Sequence, residues 1–410
     1  MKHLPHFLRH LLLLTAVISV TYSCNKDNGT EFNYFVSKEL KVTYSSDYIT
    51  GLLNNVTTSY PEVTDLRQYF SGGVEVYGIV YKTTVDNKSI EASGLVCIPE
   101  GPGEYPVLSF QNGTNTVNAY CPSEFVINPA YQMIEIVASM GYVVVIPDYP
   151  GFGESSDIAH PYLIAEPTTK SIVDMLYAVR EMSNTELPET KIRNEYYIIG
   201  YSQGGWATLA LDKALETEYQ GDFDLKASAC GAGPYNLVSL FEEMMNVVSY
   251  PMPVYIGYIV NAYSVYHQFT NPVSDILQQP YDSRLAALYN GNLDSDQING
   301  QLTSIIKDLF TADFLSGFAS APKYSSVRDG LTANSVAAWN TQVPLYLVHG
   351  GGDTSVDPSS TENIYQALIG AGTSPQIVTK EILPALDHGE ALVPAMLRGL
   401  KFINDIKIVN

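Results

Sequence analysis

The sequence predicts an α/β fold with a mostly parallel central sheet flanked by helices, and three observations support this. Apolar, strand-like runs alternate with helical segments from about Glu75 onward, the order typical of parallel sheets. A serine stands on a glycine-rich turn between one such strand and one such helix. An acidic residue and a histidine follow later, each in a loop after a strand.

Eight segments have the apolar composition of strands. They are Val74–Thr83, Glu91–Ile98, Pro106–Gln111, Tyr142–Ile146, Tyr196–Gly200, Lys226–Cys230, Pro344–His349 and Gln376–Leu383. The first two flank a short polar turn and predict an antiparallel hairpin that leads into the parallel part. Helices are predicted over Pro129–Met140, Thr168–Met182, Gly205–Tyr219, Ser360–Gly370 and Ala391–Asn404.

A stretch rich in Tyr, Met and Pro interrupts this alternation between the sixth and seventh strands. We interpret it as a helical cap, or lid, inserted into the core. The predicted organisation is a signal peptide (1–23), a tether with an N-terminal extension (24–73), the first part of the core (74–232), the cap (233–341) and the second part of the core (342–410).

The chain begins with an export signal in this interpretation. Lys2 and Arg9 precede an apolar run from Leu11 to Val20. This run is too short to span a bilayer. Ser23 followed by Cys24 resembles the processing site of bacterial lipoproteins, in which the cysteine is acylated. We therefore expect Cys24 to anchor the protein to a membrane of the cell envelope, outside the cytoplasm, and simple cleavage with secretion is the alternative.

Charge and cysteine content limit the partners and the cross-links. The formal net charge of −21 repels phosphate backbones, so we expect no nucleic-acid partner. If Cys24 carries lipid, Cys97, Cys121 and Cys230 remain. An odd number allows at most one disulfide among them.

The strongest motif is Gly200-Tyr201-Ser202-Gln203-Gly204-Gly205, between a predicted strand and a predicted helix. A serine on such a tight turn needs small neighbours two residues away on either side, because their backbones come close together. The turn exposes the hydroxyl at the carboxyl edge of the sheet. We therefore predict that Ser202 is a nucleophile, although the pentapeptide by itself also fits an ordinary glycine-rich loop.

A serine hydroxyl needs an adjacent base. The candidates after Ser202 are His267, His349 and His388. His267 falls in the cap, and His349 ends a buried strand, where a core histidine is expected. His388 lies in a loop between the last strand and the last helix, so we predict it to be the base.

The base in turn needs an acid that orients it. Asp353 follows the strand that ends at His349, after a run of three glycines, and is the predicted acid. Asp357 stands four residues later beside Pro358 and fits a helix N-terminal cap better. Asp387 is disfavoured because side chains of adjacent residues rarely face each other.

Charge that develops on a substrate carbonyl oxygen needs two backbone donors already in place. We assign them to the amides of Gln203, directly after the nucleophile, and Thr114, in the loop after the third strand. An ordinary turn is the alternative for the Thr114 loop.

Four aromatic residues of the cap, Tyr255, Tyr258, Tyr266 and Phe269, have spacings that place them near one helical face. They are candidates for substrate contact, and packing against the core is the alternative. With the neighbouring methionines they predict an apolar cover that favours longer acyl chains over acetate.

The chain resembles the α/β-hydrolase superfamily over roughly residues 75–406. The segment from Gly141 to Gly153, with His160-Pro161-Tyr162 and the Ser202 turn, is similar to the secreted lipase family that includes fungal lipase A enzymes and their bacterial relatives. The resemblance implies hydrolysis of carboxylic esters by a Ser-Asp-His triad without a cofactor. Asn112 departs from the His-Gly that many hydrolases have before the oxyanion loop.

Alternative functions remain open at this stage. A serine peptidase uses the same triad, and Glu242-Glu243 is a candidate pair for binding a peptide amino terminus. A carbohydrate acetyl or feruloyl esterase shares the ester chemistry, and a non-catalytic surface-binding lipoprotein is the remaining class. No metal is expected, because no histidines or cysteines have ligand spacing.

Overall fold

The computed structural model describes residues 33–409, which form the sheet and its helices. The expected signal segment and Cys24 lie outside these residues. The described residues contain nine strands: β1 (Phe35–Tyr44), β2 (Val74–Val85), β3 (Lys88–Pro99), β4 (Gly103–Gln111), β5 (Val143–Pro147), β6 (Thr190–Tyr201), β7 (Leu225–Gly231), β8 (Leu345–Gly350) and β9 (Val378–Leu383). They form one sheet in the order β1-β2-β3-β5-β4-β6-β7-β8-β9.

The sheet has an antiparallel edge and a parallel remainder, as predicted. Strands β1, β2, β3 and β5 pair antiparallel, whereas β4 to β9 pair parallel with their neighbours. The β2–β3 hairpin turns at Asp86 and Asn87, whose φ values are 50° and 59°. Two successive positive φ values match the twist of a two-residue hairpin, and Asp and Asn tolerate them. The expected hairpin is therefore confirmed.

The N-terminal extension contributes more than was predicted. It supplies β1, which pairs along the edge of the sheet with β2, and two helices, α1 (Ser46–Ser59) and α2 (Val63–Arg67). Only the two ends of β1, Phe35 and Tyr44, are buried. An edge strand with so little buried apolar surface lacks the alternation that identifies a strand in sequence.

Helices of the core cover both faces of the sheet. They are α3 (Pro129–Glu135), α4 (Ala165–Thr185), α5 (Gln203–Thr217), α14 (Ser359–Gly370) and α15 (His388–Val409). The predicted helix over Pro129–Met140 is α3 followed by a 3-10 turn over Ile136–Met140. No helix within residues 33–409 combines the length and the apolar composition that crossing a membrane requires.

The segment between β7 and β8 is mostly helical, with isolated β-bridges such as Ser249–Ile305. Its helices are α6 (Leu237–Met245), α7 (Pro253–Val265), α8 (Val273–Ile276), α9 (Leu285–Leu288), α10 (Ser295–Asn299), α11 (Ile306–Leu309), α12 (Ala312–Gly317) and α13 (Ser325–Ala333), with a 3-10 turn over Pro322–Tyr324. Helix α13 receives a hydrogen bond from the core at its end, because the Trp206 indole donates to the Asn334 carbonyl at 3.1 Å. We call this helical segment the cap.

Alternate residues of the central strands enter the two faces of the core. In β5, Val143 and Val145 pack in one apolar cluster with α4, whereas Val144 and Ile146 pack in the other. A strand buried on both faces reads as a continuous apolar run, which is why β5 was recognisable from sequence. The cluster on the α4 side continues into the cap, where Tyr263 and Phe314 are fully or almost fully buried.

The carboxyl ends of β4, β6, β8 and β9 lie at the same edge of the sheet, because these strands are parallel. In parallel α/β sheets this edge is where ligands bind. The loops that follow these strands contain the residues selected from sequence.

Candidate active site

The turn at Ser202 has a backbone conformation that side chains rarely adopt. Ser202 has φ 60° and ψ −122° and joins the end of β6 to the start of α5. Its amide N–H donates to the Gly231 carbonyl of β7 at 2.9 Å. A Cβ atom at Gly204 would lie 1.9 Å from the Gln111 carbonyl oxygen, and one at Gly200 would lie 2.4 Å from the Gly204 carbonyl oxygen. The turn therefore requires glycine at both positions.

The three residues predicted as nucleophile, base and acid are connected by hydrogen bonds. The distance from His388 Nε2 to Ser202 Oγ is 2.9 Å. The distance from His388 Nδ1 to Asp353 Oδ2 is 2.5 Å. Because Asp353 accepts from Nδ1, the proton of a neutral His388 ring sits on Nδ1, and Nε2 is free to accept the serine proton.

The backbone of His388 is also fixed, in addition to the contact of its ring with Asp353. It is the first residue of α15, and the Tyr201 hydroxyl donates to the His388 backbone carbonyl at 2.7 Å. Tyr201 directly precedes the nucleophile, so one residue of the β6 turn fixes the backbone of the histidine that faces it. This role of Tyr201 was not predicted from sequence, where Tyr201 is only one residue of the glycine motif.

The Asp353 carboxylate is buried and receives several donors. Its Oδ1 atom accepts the backbone N–H groups of Ser355 at 2.8 Å and Val356 at 2.9 Å. Burial alone raises the pKa of Asp353, but donors from His349, His388 and the Val356 amide outweigh it and hold the pKa well below its ordinary value. Asp353 is therefore charged across the physiological range.

The alternatives for the acid and base lie elsewhere. The Asp357 carboxylate accepts the Ser359 N–H at 2.8 Å at the start of α14, as a capping residue does. The Asp387 carboxylate accepts the Glu390 N–H at 2.8 Å. His349 is fully buried, as expected of a core histidine, but it also lies 3.3 Å from Asp353. That contact was not anticipated.

The two predicted oxyanion donors lie in the expected loops. Gln203 is the first residue of α5, so its amide N–H has no acceptor within the helix. Its side-chain Nε2 is 2.8 Å from His160 Nε2. Thr114 follows β4, and its hydroxyl is 2.9 Å from the hydroxyl of Tyr162. The oxyanion assignment stays a prediction.

The loop after β5 is fixed by a buried acid. Asp148 accepts the hydroxyls of Ser93 at 2.6 Å and Ser123 at 2.5 Å. A Cβ atom at Gly153 would lie 2.1 Å from Ser93 Oγ. From this loop the Pro150 carbonyl accepts from His160 Nδ1 at 2.8 Å, and burial lowers the pKa of His160 to about 4. A neutral His160 thus links the loop to Gln203.

The four aromatic cap residues do not share one helical face. Helix α7 ends at Val265, so Tyr266 and Phe269 lie beyond it, and this part of the prediction is wrong. The physical reason is the left-handed backbone of His267, with φ 52°, which ends the helix and lets the Gln268 N–H donate to the Tyr263 carbonyl at 2.8 Å. Phe269 is buried and its ring lies 6.4 Å from that of Tyr263.

Tyr255 and Tyr258 lie closer to the nucleophile. Tyr255 lines the cavity beside Ser202. The Tyr258 ring stacks on the Tyr162 ring at 4.3 Å and on the Tyr289 ring at 4.7 Å. Tyr162 lines the same cavity as Ser202, so the stack extends from the site into the cap.

Cap tyrosines also donate their hydroxyls to backbone carbonyls of the loops around the site. These pairs are Tyr250 with Ser355 at 2.9 Å, Tyr258 with Asn115 at 3.2 Å, Tyr263 with Leu163 at 2.9 Å, and Tyr266 with Ala159. The cap is thereby hydrogen-bonded to the loop that contains Asp353, to the Thr114 loop and to the segment around His160.

The cavity beside Ser202 is small and mostly apolar. Its volume is about 20 Å³, roughly the room for one or two water molecules. Its lining includes the following residues from the core and the cap: Tyr162, Leu163, Pro234, Leu240, Met244, Tyr255, Ile259 and Val356.

Within residues 33–409, no group of three or more His, Cys, Asp or Glu side chains is arranged to hold a metal ion. Cys97, Cys121 and Cys230 are buried and unpaired.

A mostly parallel sheet with a serine on a strand-to-helix turn, followed by an acid and a histidine in later loops, is the arrangement of the α/β-hydrolase fold. A hydrolase structure from Legionella pneumophila, described as putative, shares this fold. Its TM-score is 0.81 at 26% identity, over 91% of this chain and 98% of the other.

Two further structures share the fold at lower identity. The rice cell wall degrading esterase LipA from Xanthomonas oryzae has a TM-score of 0.76 at 24% identity, over 88% of this chain and 94% of the other. Candida antarctica lipase A in its closed state has a TM-score of 0.64 at 15% identity, over 91% and 81%. Among curated proteins none matches significantly.

The chain belongs to the secretory lipase family, whose model matches residues 123–383, more than half of the chain. It is accordingly a lipase- or esterase-type hydrolase of carboxylic esters. The resemblance and the fold class predicted from sequence are confirmed. The matched range includes Ser202 and Asp353, whereas Thr114 and His388 lie outside it.

The lowered pKa of Asp353 predicts a pH-dependent contribution to stability. A carboxyl whose pKa falls on folding stabilises the folded state above its unfolded pKa, and this contribution disappears as the pH falls through the folded value. Urea unfolding should show the largest difference in free energy of unfolding between wild type and Asp353→Asn near neutral pH, and a smaller one below about pH 4.

The exposed loop residue Asp157 provides a matched control. Asp157→Asn should change the free energy of unfolding by less than about 0.5 kcal/mol. A wild-type advantage over Asp353→Asn that grows towards acid pH would contradict the assignment of a lowered pKa to Asp353.

Proposed function

We propose that the protein is an extracytoplasmic, lipid-anchored serine esterase that works through Ser202, His388 and Asp353 and an acyl-enzyme intermediate. The continuous hydrogen bonding from Ser202 Oγ through His388 to Asp353 Oδ2 is the observation that carries this proposal. No other histidine among the described residues has a hydrogen bond to the Ser202 hydroxyl.

The proposed reaction has two halves. Ser202 Oγ attacks the ester carbonyl carbon while His388 Nε2 takes the hydroxyl proton, and the carbonyl oxygen becomes an oxyanion that accepts from the Gln203 and Thr114 amides. The C–O bond to the alcohol then breaks, and His388 returns the proton to the leaving oxygen. A water molecule then attacks the acyl carbonyl carbon and gives a proton to His388. The bond from the acyl carbon to Ser202 Oγ breaks, His388 returns the proton to Oγ, and the carboxylic acid leaves.

The position of the cap supports a short acyl group. The cavity beside Ser202 is about 20 Å³ and its walls are apolar, so a methyl-sized group fits without movement of the cap. We therefore propose a short acyl group in place of the longer chains expected from sequence, because Leu240, Met244 and Tyr255 of the cap line this small cavity.

A carbohydrate-directed esterase that removes short acyl groups is the second candidate, and the same cavity favours it. A structural relative from Xanthomonas oryzae is described as a rice cell wall degrading esterase. The peptidase alternative has less support. Glu243 accepts a hydrogen bond from Ser359 at 3.3 Å, and neither Glu242 nor Glu243 lines the cavity.

Replacing each of the three triad residues should lower the kcat of ester hydrolysis, by an amount that depends on the role of the residue. Ser202→Ala and His388→Ala should each lower kcat by about 10⁶-fold, because either change breaks the nucleophile–base pair. Asp353→Asn should cost about 10⁴-fold. Asp357→Asn is the matched control, with kcat within about threefold of wild type. An equal loss in Asp357→Asn, or an active Ser202→Ala, would refute the assignment.

An acyl-length series on p-nitrophenyl esters tests the cavity. The kcat/KM of the wild type should be highest for acetate and should fall through butyrate to hexanoate. Met244→Ala should raise kcat/KM for hexanoate about tenfold relative to acetate, because two more methylenes gain an enclosed site at about 0.8 kcal/mol each. The adjacent Met245 does not line the cavity, so Met245→Ala should leave the ratio unchanged. A wild type that prefers hexanoate would show that the cap opens.

The anchor is proposed from the sequence, since Cys24 lies outside the described residues. Metabolic labelling with a fatty-acid probe should mark the wild type and leave Cys24→Ser unlabelled. Cys24→Ser should keep its esterase activity in soluble form. Label that survives the substitution would contradict acylation at Cys24.

A further inference from the structure

A second histidine lies against the acid of the site. His349 ends β8, and its side chain is completely buried. Its Nδ1 atom is 2.7 Å from Thr361 Oγ1. Its Nε2 atom is 2.9 Å from the Val356 carbonyl oxygen and 3.3 Å from Asp353 Oδ2. The proposed mechanism does not use this residue.

These contacts determine where the His349 proton sits. The Val356 carbonyl oxygen and the Asp353 carboxylate can only accept hydrogen bonds, so Nε2 must carry the hydrogen. In the neutral ring Nδ1 is then the acceptor, and the Thr361 hydroxyl is the donor. His349 is therefore held with its Nε2–H directed at Val356 and Asp353.

The two oxygens of Asp353 have different partners as a result. Oδ1 accepts the two loop amides of Ser355 and Val356. Oδ2 faces an imidazole on each side, His388 at 2.5 Å and His349 at 3.3 Å. Rotation of the carboxylate would disrupt all of these contacts, so the direction of Oδ2 towards His388 is fixed.

We propose that His349 is a positioning residue for the Ser202 site: its Nε2–H fixes Asp353 Oδ2 towards His388 and takes up part of the carboxylate charge. This inference rests on the proposed esterase function. Losing the donor leaves more negative charge on Oδ2 and lets the carboxylate turn, so the hydrogen bond to His388 changes and the acylation step slows. His349 itself does not line the cavity beside Ser202, so KM should change little.

Two amide substitutions distinguish the contribution of Nε2 from that of Nδ1. His349→Gln places an N–H near the position of Nε2 and keeps the donor to Asp353. His349→Asn places its amide near Nδ1, next to Thr361, and loses that donor. Thr361→Val is the matched packing control, because it removes the partner of Nδ1 and leaves the Nε2–H in place.

Each variant is assayed as kcat and KM on p-nitrophenyl butyrate, per active site titrated with a phosphonate ester. The far-downfield proton NMR signal of the His388–Asp353 hydrogen bond is measured alongside. His349→Asn should lower kcat by about 10- to 100-fold, the range for loss of a partner that orients an active-site ligand, with KM within about twofold. Its downfield signal should shift. His349→Gln and Thr361→Val should keep kcat within about threefold and keep the signal near its wild-type position.

Equal kcat and an unmoved signal in His349→Asn would overturn the proposal. So would a loss in Thr361→Val as large as in His349→Asn, since that pattern reports packing alone. If His349→Asn does not fold, His349→Leu tests the same prediction. A wild type that neither hydrolyses the ester nor reacts with the phosphonate would instead refute the proposed function, which is a distinguishable result.

Discussion

The left-handed turn at Ser202 is the constraint on which the rest of the site depends. Holding a non-glycine residue at φ 60° costs free energy that the surrounding structure must offset. The offset comes from the sheet, where the Ser202 amide donates to β7, and from backbone contacts that only glycine permits at positions 200 and 204. Without that close packing the turn would relax, and the Ser202 hydroxyl would move away from His388.

His388 and Asp353 are likewise positioned by a few hydrogen bonds from neighbouring residues. Tyr201, which belongs to the turn, bonds the His388 backbone, and the Asp353 loop closes on its own carboxylate through two amides. Cap tyrosines then bond the carbonyls of the loops that surround these residues. The site is therefore built from loop backbones that are fixed by side chains, with the parallel sheet as the rigid support.

Much of this arrangement follows from local sequence. The buried parallel strands are continuous apolar runs, the turn at Ser202 has glycines at the required spacing, and the candidate acid and base each follow a strand. These patterns predicted Ser202, Asp353 and His388 in loops after parallel strands, and the structure brings their side chains within hydrogen-bonding distance.

Other features depend on tertiary contacts that have no local signal. Strand β1 is held mainly by pairing at the edge of the sheet. Because only its two ends are buried, its sequence lacks the apolar pattern of a strand. The approach of His349 to Asp353 depends on the fold of the loop between them. The end of α7 at Val265 depends on one backbone angle at His267. Cavity volume is also unpredictable, because it is the small difference between the space inside the cap and the side chains that fill it.

Trapping the acyl-enzyme tests the central claim most directly. The protein is mixed with a p-nitrophenyl ester, quenched in acid within the first turnover, digested and weighed by mass spectrometry. The account predicts that the acyl mass is on the peptide containing Ser202, at a stoichiometry approaching one per active site, and that it is absent from Ser202→Ala. Full turnover with no acyl mass on Ser202, or with the acyl group on another residue, would contradict it.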